Sequence, residues 1–148
     1  MTAGADHIFP LRVYYEDTDA AGIVYYANYL KFAERARTEF LRTSGGRHRA
    51  LKDQDGVAFV VRSVTADYDQ PARLDDELAV RTRLTSVGGA SMTMDQNVER
   101  EDCTLVKMSV RLGCVGIEGK PARMPVALRA ALKTHQFNSN KRRENEAG

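Results

Sequence analysis

The segment 15-YEDTDAAGIVYYANY-29 decides the fold, because it joins a strand-like run to the best helical pattern in the chain. Its carboxylates, Glu16, Asp17 and Asp19, crowd one turn, and Gly22 follows before the helix begins. A carboxylate beside a helix N-terminus lies next to backbone N–H groups that have no partner within the helix. The segment therefore offers a base or nucleophile together with a dipole that stabilises a developing oxyanion. Acidic residues are also ordinary turn and capping residues, so these residues alone leave a purely structural role open.

A long helix is predicted directly after this segment, over residues 28–44. Its apolar positions fall on a broad arc, which indicates that protein surrounds most of the helix. Asn28 is the expected N-cap, and Gly45-Gly46 is the expected stop.

Strand patterns fill most of the remaining chain. Residues 8–16 alternate, and the side chains expected on one face are those of Phe9, Leu11, Val13 and Tyr15. Four more strand-like segments follow the helix, at 57–69, 76–87, 90–100 and 103–117. Turn-sized connections separate them, so antiparallel neighbours are expected. One long helix followed by a strand meander predicts an α+β fold, with a short further helix starting near Pro125.

The length of 148 residues suits one domain, which we place at residues 1–137. Residues 138–148 are polar and charged and are predicted to form a disordered tail. No internal repeat or second domain is visible in the sequence.

Composition excludes several function classes. A formal net charge of +2 gives no reason to expect nucleic-acid binding, and no apolar stretch is long enough for membrane insertion. The first residues carry no basic-then-apolar secretory signal, and Cys103 and Cys114 resemble apolar fillers more than a disulfide pair. We therefore expect a cytoplasmic location. The scattered histidines suggest no metal site, and no nucleotide-binding glycine motif or Gly-x-Ser-x-Gly sequence indicates a cofactor or a serine nucleophile.

The acidic segment resembles the active-site signature of the 4-hydroxybenzoyl-CoA thioesterase family. The longer run 13–42 is similar to the branch of that family associated with the Tol-Pal envelope system, and Asp67-Tyr68 with 71-PARLDD-76 forms a second matching block. The similarity spans roughly residues 9–125. It implies a hotdog fold, in which an antiparallel sheet of five or six strands wraps one long helix. It also implies a homodimer or homotetramer with active sites between subunits.

The resemblance assigns roles to individual residues of the segment. It makes Asp19 the catalytic carboxylate, acting as nucleophile or as general base toward water, and the sequence does not separate the two. It makes the Tyr26 backbone N–H the donor that polarises the thioester carbonyl. Gly22, Val24 and Tyr25 are expected to contact substrate, and Asp17 to fix the loop. Many sequences of the Tol-Pal branch have histidine at the position of Tyr26, and tyrosine there resembles the aromatic-substrate branch.

A second carboxylate, Glu34, lies on the predicted helix. Some hotdog thioesterases use a helical acid as nucleophile, but Glu34 and Arg37 are spaced for a mutual ion pair. We interpret the pair as structural, with Glu34 neutralising a semi-buried arginine.

Coenzyme A carries several phosphates, so a basic contact is expected. Part of the family uses a basic tripeptide in a hairpin, whereas the matching turn here contains Gly88, Gly89, Ala90 and Ser91 and has no charge. Gly88, Gly89 and Ser91 are expected to bind the substrate through their backbone, with loose binding of the nucleotide. Arg47, Arg49 and Lys52 are basic too, but a solvated loop explains them more simply.

These observations predict hydrolysis of short-chain or aromatic acyl-CoA to a carboxylic acid and CoA. Two alternatives stay open: hydrolysis of acyl groups on acyl-carrier protein, and a non-catalytic acyl-carrier or envelope-complex binding protein. Hydration or dehydration of a thioester is disfavoured, because the segment lacks the histidine that hotdog dehydratases use.

Overall fold

The structure is a computed structural model and describes residues 6–137. The predicted disordered tail, residues 138–148, lies outside the described residues, so the domain boundary at 137 stays a prediction.

Five antiparallel strands form one sheet in the spatial order β1-β3-β4-β5-β2. The prediction of an α+β fold with five or six antiparallel strands is therefore confirmed. The strands are β1 (His7–Arg12), β2 (Ala58–Tyr68), β3 (Glu77–Val87), β4 (Ser91–Arg100) and β5 (Cys103–Val115).

One long helix, α1 (Asn28–Thr43), packs on β1, β3 and β4, and this is the hotdog arrangement. Its buried face carries Tyr29, Phe32, Ala33, Ala36, Arg37, Phe40 and Leu41. The alternating buried positions of β3 and β4 meet it from the sheet. A short helix α2 (His48–Ala50), a π-helical turn (Leu51–Asp55) and α3 (Val126–His135) complete the chain. None of the helices in the described range combines the length and apolar character that crossing a membrane requires.

Two details of the predicted element boundaries are wrong, and both lie beside the acidic segment. Asn28 is the first helical residue and Ala27 holds the N-cap position, because the Asn28 Nδ2 donates to Asp17 O at 2.8 Å instead of capping. The strand predicted for 8–16 ends at Arg12, and a 3-10 turn follows at Tyr15–Asp17. The Asp17 carboxylate accepts the Tyr14 N–H at 2.8 Å, which favours that turn over an extended strand and leaves Tyr15 exposed.

The edge strands of the sheet are β1 and β2, and β2 exposes several apolar side chains. One side of β2 pairs with β5, and no described strand pairs with its other side. Its exposed side chains include Val60, Val61, Val64 and Tyr68. An apolar edge strand of 11 residues is a site for pairing with another chain.

Candidate active site

Residues 17–26, which we call the acidic turn, form a tight hairpin ahead of α1. Thr18 and Val24 pair as an antiparallel bridge, and the Asp19 N–H donates to Ile23 O at 2.9 Å. The Gly22 N–H closes the turn on Asp19 O at 3.0 Å, with a Gly22 φ of +78°. A φ in this region strains any residue with a Cβ, so the turn depends on glycine at position 22. The chain thereby reverses after Asp19 and enters α1 at Asn28.

The Asp19 side chain is exposed on this turn. Its Oδ1 accepts the Ala21 N–H at 2.8 Å, which fixes the carboxylate relative to the backbone. Its Oδ2 accepts no hydrogen bond from the described residues. The carboxylate is thus oriented while one oxygen stays available for an acid–base or nucleophilic step.

Asp17 organises the loop. Its Oδ2 accepts the Tyr14 N–H, while its backbone carbonyl accepts the Tyr25 N–H at 3.0 Å and the Asn28 side-chain amide at 2.8 Å. These hydrogen bonds connect Asp17, at the start of the acidic turn, with Tyr25 near its end and with Asn28 in the first turn of α1. The predicted loop-fixing role of Asp17 is confirmed by these bonds.

Free donors lie at the start of α1. The Asn28 N–H bonds to Tyr25 O at 2.8 Å, but neither the Tyr26 N–H nor the Ala27 N–H has an acceptor among the described residues. Unpaired N–H groups at a helix N-terminus attract negative charge. The acidic turn therefore presents backbone donors and a carboxylate within one short segment.

A second segment, residues 71–76, contacts the acidic turn through backbone hydrogen bonds, and we call it the support loop. The Val24 N–H donates to Ala72 O at 2.9 Å, and Ile23 pairs with Arg73 as an antiparallel bridge. The Tyr29 hydroxyl accepts the buried Ala72 N–H at 2.9 Å. Nothing in the sequence marks Tyr29 as a site residue, since its position on the apolar arc predicts only packing.

Charges brace the same loop. The Asp76 Oδ2 accepts the Arg73 N–H at 2.8 Å and the Arg100 Nη1 at 2.8 Å. Burial alone would raise the pKa of Asp76, but these hydrogen bonds and the positive charges outweigh burial and hold that pKa below its usual value. Asp76 is consequently ionised at neutral pH, which keeps both bonds to the loop.

All six tyrosines of the chain lie within residues 14–29 or at the end of β2; they are Tyr14, Tyr15, Tyr25, Tyr26, Tyr29 and Tyr68. The Tyr25 and Tyr26 ring centroids are 4.9 Å apart, and Tyr68 meets Tyr26 edge-on at 6.1 Å. A hydrogen bond to Tyr26 raises the pKa of Tyr25, and burial raises the pKa of Tyr68. Both phenols are therefore protonated at neutral pH and form an aromatic wall with hydroxyl groups.

The predicted substrate contacts of the segment are not equivalent in position. Tyr25 and Tyr26 are exposed, and an added Cβ at Gly22 would meet no atom within 4 Å, so these residues border open space. Val24 is only 4% exposed and its side chain belongs to the core, so a contact of Val24 with substrate stays a prediction for its backbone. Alternation along the return strand turns Val24 inward while its neighbours point outward.

The predicted ion pair between Glu34 and Arg37 is wrong, because Arg37 has a different partner. Arg37 is buried and donates to Gln96 Oε1 at 3.0 Å, and no ion pair within 4.0 Å joins it to Glu34 in the described range. Gln96 is itself satisfied by Ala33 O and Thr82 Oγ1. Burial lowers the pKa of Arg37, and the Glu34 charge opposes that shift without cancelling it. Glu34 lines a cleft of about 110 Å³ between α1 and the sheet.

The glycine turn between β3 and β4 lies at the other end of the sheet. The Gly88 N–H donates to Ser91 O at 2.7 Å, so the predicted use of this N–H for substrate is contradicted. Gly89 borders a cavity, and its carbonyl accepts the Met124 N–H at 2.8 Å. The turn is uncharged as predicted, but Arg123 and Arg129 lie against it from the C-terminal part of the chain.

No group of three or more His, Cys, Asp or Glu side chains within residues 6–137 is arranged to hold a metal ion. Cys103 and Cys114 are both free thiols, and burial raises the pKa of Cys114. The chemistry available at the acidic turn is therefore that of a carboxylate, backbone N–H groups and phenols.

Comparisons with known proteins agree with this geometry. A family model described as the thioesterase superfamily matches residues 21–107. The acyl-CoA thioesterase YbgC of Haemophilus influenzae is 45% identical over 125 residues, which are 84% of this chain and 92% of that protein. A 1,4-dihydroxy-2-naphthoyl-CoA hydrolase of Nostoc punctiforme is 27% identical over 70% of each chain.

A solved structure of a probable thioesterase from Bartonella henselae has a TM-score of 0.79 and 40% identity, and the match covers 82% of this chain and 100% of that one. Sequence family, relatives and fold thus agree, and the predicted thioesterase resemblance is confirmed. The chain belongs to the thioesterase superfamily.

Proposed function

We propose that the chain is an acyl-CoA thioesterase that hydrolyses short-chain or aromatic acyl-CoA to a carboxylic acid and free CoA. The observation that carries the proposal is the exposed Asp19 carboxylate, fixed by the Ala21 N–H on a turn that leads directly into α1. The relatives support it, because the Haemophilus influenzae protein is an acyl-CoA thioesterase and shares most of this chain.

The reaction needs an activated carbonyl and a group that attacks it. The Tyr26 N–H, just before α1, donates a hydrogen bond to the thioester oxygen as negative charge develops there, and one such donor contributes about 3 kcal/mol of transition-state stabilisation. Asp19 then acts in one of two ways. As nucleophile it adds to the carbonyl carbon, expels the CoA thiolate and leaves a mixed anhydride, which water hydrolyses. As general base it removes a proton from the attacking water.

The leaving group simplifies the site. A thiolate is stable near neutral pH, so its departure requires little help from an acid. The phenols of Tyr25 and Tyr68 are protonated and border the acidic turn, where they can contact the acyl group. An aromatic wall of this kind favours a flat acyl group, since offset and edge-on ring contacts contribute beyond simple burial.

A homodimer or homotetramer completes the site. The unpaired side of β2 exposes Val61 to 48% and Tyr68 to 45%, and Tyr68 contacts the Tyr26 ring. Pairing of this edge with a second copy removes the apolar edge from water and covers one side of the acidic turn. Sedimentation at micromolar concentration is expected to give a dimer or tetramer, and a stable, active monomer would refute the shared site.

The two free thiols support a location in a reducing compartment, and we place the protein in the cytoplasm. The proposal requires acyl-CoA as substrate and no cofactor. The association with an envelope complex stays a prediction from the resemblance.

The experiment is an assay of thiol release across a panel of acyl-CoA substrates, from acetyl-CoA to benzoyl-CoA and hydroxybenzoyl-CoA. Turnover of at least one short or aromatic substrate is expected. Acyl-carrier protein loaded with the same acyl groups is tested in parallel. A strong preference for it would show that acyl-carrier protein, and not CoA, carries the acyl group of the substrate. Binding without release from any thioester would favour the non-catalytic alternative.

Glu34→Gln is the matched comparison for Asp19→Asn, because both replace a carboxylate with its amide near α1. Asp19→Asn is expected to lower turnover by at least about 100-fold, the scale of a positioned acid–base group, while Glu34→Gln stays near the wild-type rate. The reverse pattern would assign the chemistry to the helix.

A further inference from the structure

Three cations line a cavity against the β3–β4 hairpin, far from the acidic turn. A cavity of about 350 Å³ opens there, and its charged lining residues are Arg123, Arg129 and Lys133. No described acidic residue lies within 4.0 Å of these three cations as an ion-pair partner. We call the cavity the α3 pocket, defined by Gly89 and the three cations.

The pocket is held in place by hydrogen bonds to the hairpin and to β3. The Met124 N–H donates to Gly89 O at 2.8 Å, and the Arg129 Nε donates to Gly88 O at 3.1 Å. At the far end of α3, the Phe137 N–H donates to Leu84 O at 2.8 Å. Leu128 and Leu132 are buried on the opposite face of the helix, so Arg129 and Lys133 stay on the open face.

Glycine at position 89 makes room for the cation. Arg123 Nη2 lies 3.3 Å from the place that a Cβ on Gly89 would occupy, which is closer than nine in ten real Cβ contacts. A side chain there would require the guanidinium to shift by a few tenths of an ångström. The uncharged hairpin is therefore the floor of a basic site whose charges come from elsewhere in the chain.

The lining chemistry selects a class of ligand. Three like charges around one cavity repel each other, and a polyanion relieves that repulsion. Guanidinium groups hold phosphate oxygens in bidentate geometry, and a lysine ammonium adds a point charge. Val126 borders the same cavity and is 86% exposed, which offers an apolar surface beside the cations. Phosphates attached to a nucleoside fit both features.

We propose that the α3 pocket binds the phosphate-bearing nucleotide end of coenzyme A. This inference rests on the proposed acyl-CoA thioesterase function and assigns the phosphate contacts to Arg123, Arg129 and Lys133. It replaces the expectation from the sequence that the nucleotide is bound loosely because the hairpin is uncharged.

The position of the pocket has a consequence for the oligomer. The acidic turn adjoins the Glu77 end of β3, where Val13 bonds to Asp76 O, and the pocket adjoins the Val87 end. β3 has 11 residues, so at about 3.3 Å per residue its ends are roughly 33 Å apart. An extended CoA molecule is shorter than this. In a twofold dimer whose β2 strands pair antiparallel, the acidic-turn end of one sheet lies beside the pocket end of the other. The pocket of one subunit then serves the acidic turn of its partner.

The first test compares an acyl-CoA with the same acyl group on pantetheine, using the doubly substituted Arg123→Gln/Lys133→Gln protein. Neither side chain makes a hydrogen bond to the described protein, so folding is expected to be unaffected, and thermal unfolding checks this. The KM for acyl-CoA is expected to rise by about tenfold, and the KM for acyl-pantetheine and both kcat values to change by less than about twofold.

The matched control is Arg47→Gln/Lys52→Gln, which removes two exposed cations from the loop after α1. It is expected to leave both KM values unchanged. A KM increase in this control instead of in the pocket variant would overturn the assignment. Equal KM changes for acyl-CoA and acyl-pantetheine in the pocket variant would overturn it as well. So would a pocket variant that hydrolyses acyl-CoA normally but acyl groups on acyl-carrier protein poorly.

Calorimetry with CoA alone separates this proposal from the proposed function. Wild-type protein is expected to bind CoA about tenfold more tightly than the pocket variant, with an affinity that falls as salt rises. Unchanged CoA binding in the variant, with normal thioester hydrolysis, would refute only the pocket. CoA binding that depends on the pocket, without hydrolysis of any thioester, would refute only the enzyme.

Mixing two variant subunits tests whether the pocket of one subunit serves the acidic turn of the other. Dimers formed from one Asp19→Asn subunit and one pocket-variant subunit contain one site with both defects and one intact site. Low-KM turnover near half of the wild-type value is expected to return on mixing. If mixed dimers are verified by mass and low-KM turnover does not return, the turn and the pocket of one subunit act together, which contradicts this arrangement.

Discussion

The acidic turn takes most of its geometry from one continuous segment, whereas the α3 pocket draws on a hairpin, a loop and a helix that are distant in sequence. In the turn, backbone hydrogen bonds among Asp17, Asp19 and Ile23 set the shape, and side chains adjust it. In the pocket, the backbone supplies a flat floor at Gly89, and side chains supply the charge. A change in the turn should therefore affect turnover, and a change in the pocket should affect the apparent affinity for CoA.

Among substitutions outside the acidic turn, Tyr29→Phe is expected to have the strongest effect on the turn. The substitution keeps the ring but removes the acceptor of the buried Ala72 N–H, and an unsatisfied buried donor costs about 1–3 kcal/mol. Because Ala72 O holds Val24, turnover is expected to fall along with stability. Urea unfolding and kcat measure the two effects.

Tyr68→Phe is the control for this variant, since the Tyr68 hydroxyl bonds no described residue while its ring packs on Tyr29 at 5.7 Å. It should lose little stability. Equal losses for the two variants would show that the ring contacts, and not the Ala72 bond, support the turn.

Gly22→Ala is expected to have the next largest effect. A Cβ at a φ of +78° costs about 1–2 kcal/mol, and relaxation of that strain moves Asp19. Gly119→Ala is a matched control, because Gly119 has a φ of +76° and, like Gly22, no atom within 4 Å of an added Cβ. Both variants should lose similar stability, and only Gly22→Ala should lose turnover. Equal turnover in the two would mean that the turn tolerates distortion.

Asp76→Asn should produce a smaller, pH-dependent change. The folded-state pKa of Asp76 is depressed, so its stabilisation is fully present above the unfolded value of about 3.9 and disappears as pH falls through the folded-state pKa. The variant is expected to be less stable than wild type at pH 7, with the difference shrinking toward pH 2. A difference that is constant with pH would show that the Arg100 contact contributes nothing through charge.

Tyr26→Phe should have the smallest effect. The proposed role of Tyr26 belongs to its backbone N–H, which the substitution retains, so kcat is expected to change by less than about fivefold, or ~1 kcal/mol. A loss of several orders of magnitude in a folded variant would make the phenol itself the donor.

Much of the turn could be predicted from the sequence because its determinants are local. The carboxylates, Gly22 and the helical pattern are contiguous, and the strand periodicities gave the sheet. What the sequence left out depends on tertiary contacts. Asn28 looked like an N-cap, but the return of the chain placed Asp17 O within its reach, and Arg37 found Gln96 across the core instead of Glu34 on its own helix.

The pocket could not be predicted for the same reason. Arg129 and Lys133 are four residues apart on one face of the predicted helix, but with Arg123 outside the helix they resemble ordinary surface charge in the sequence. Only the docking of α3 on the hairpin brings them to Gly89. An uncharged hairpin in the sequence therefore gives no information on whether the folded hairpin is surrounded by cations.

The division of labour between the two regions is tested most directly by measuring binding and turnover separately in Asp19→Asn. A thioether analogue of acyl-CoA, which cannot be hydrolysed, is titrated by calorimetry, and kcat is measured on the matching thioester. Binding within about twofold of wild type, with kcat reduced by at least about 100-fold, is the expected result. Turnover near the wild-type value, or a loss of analogue binding as large as the loss of turnover, would contradict a catalytic role for Asp19.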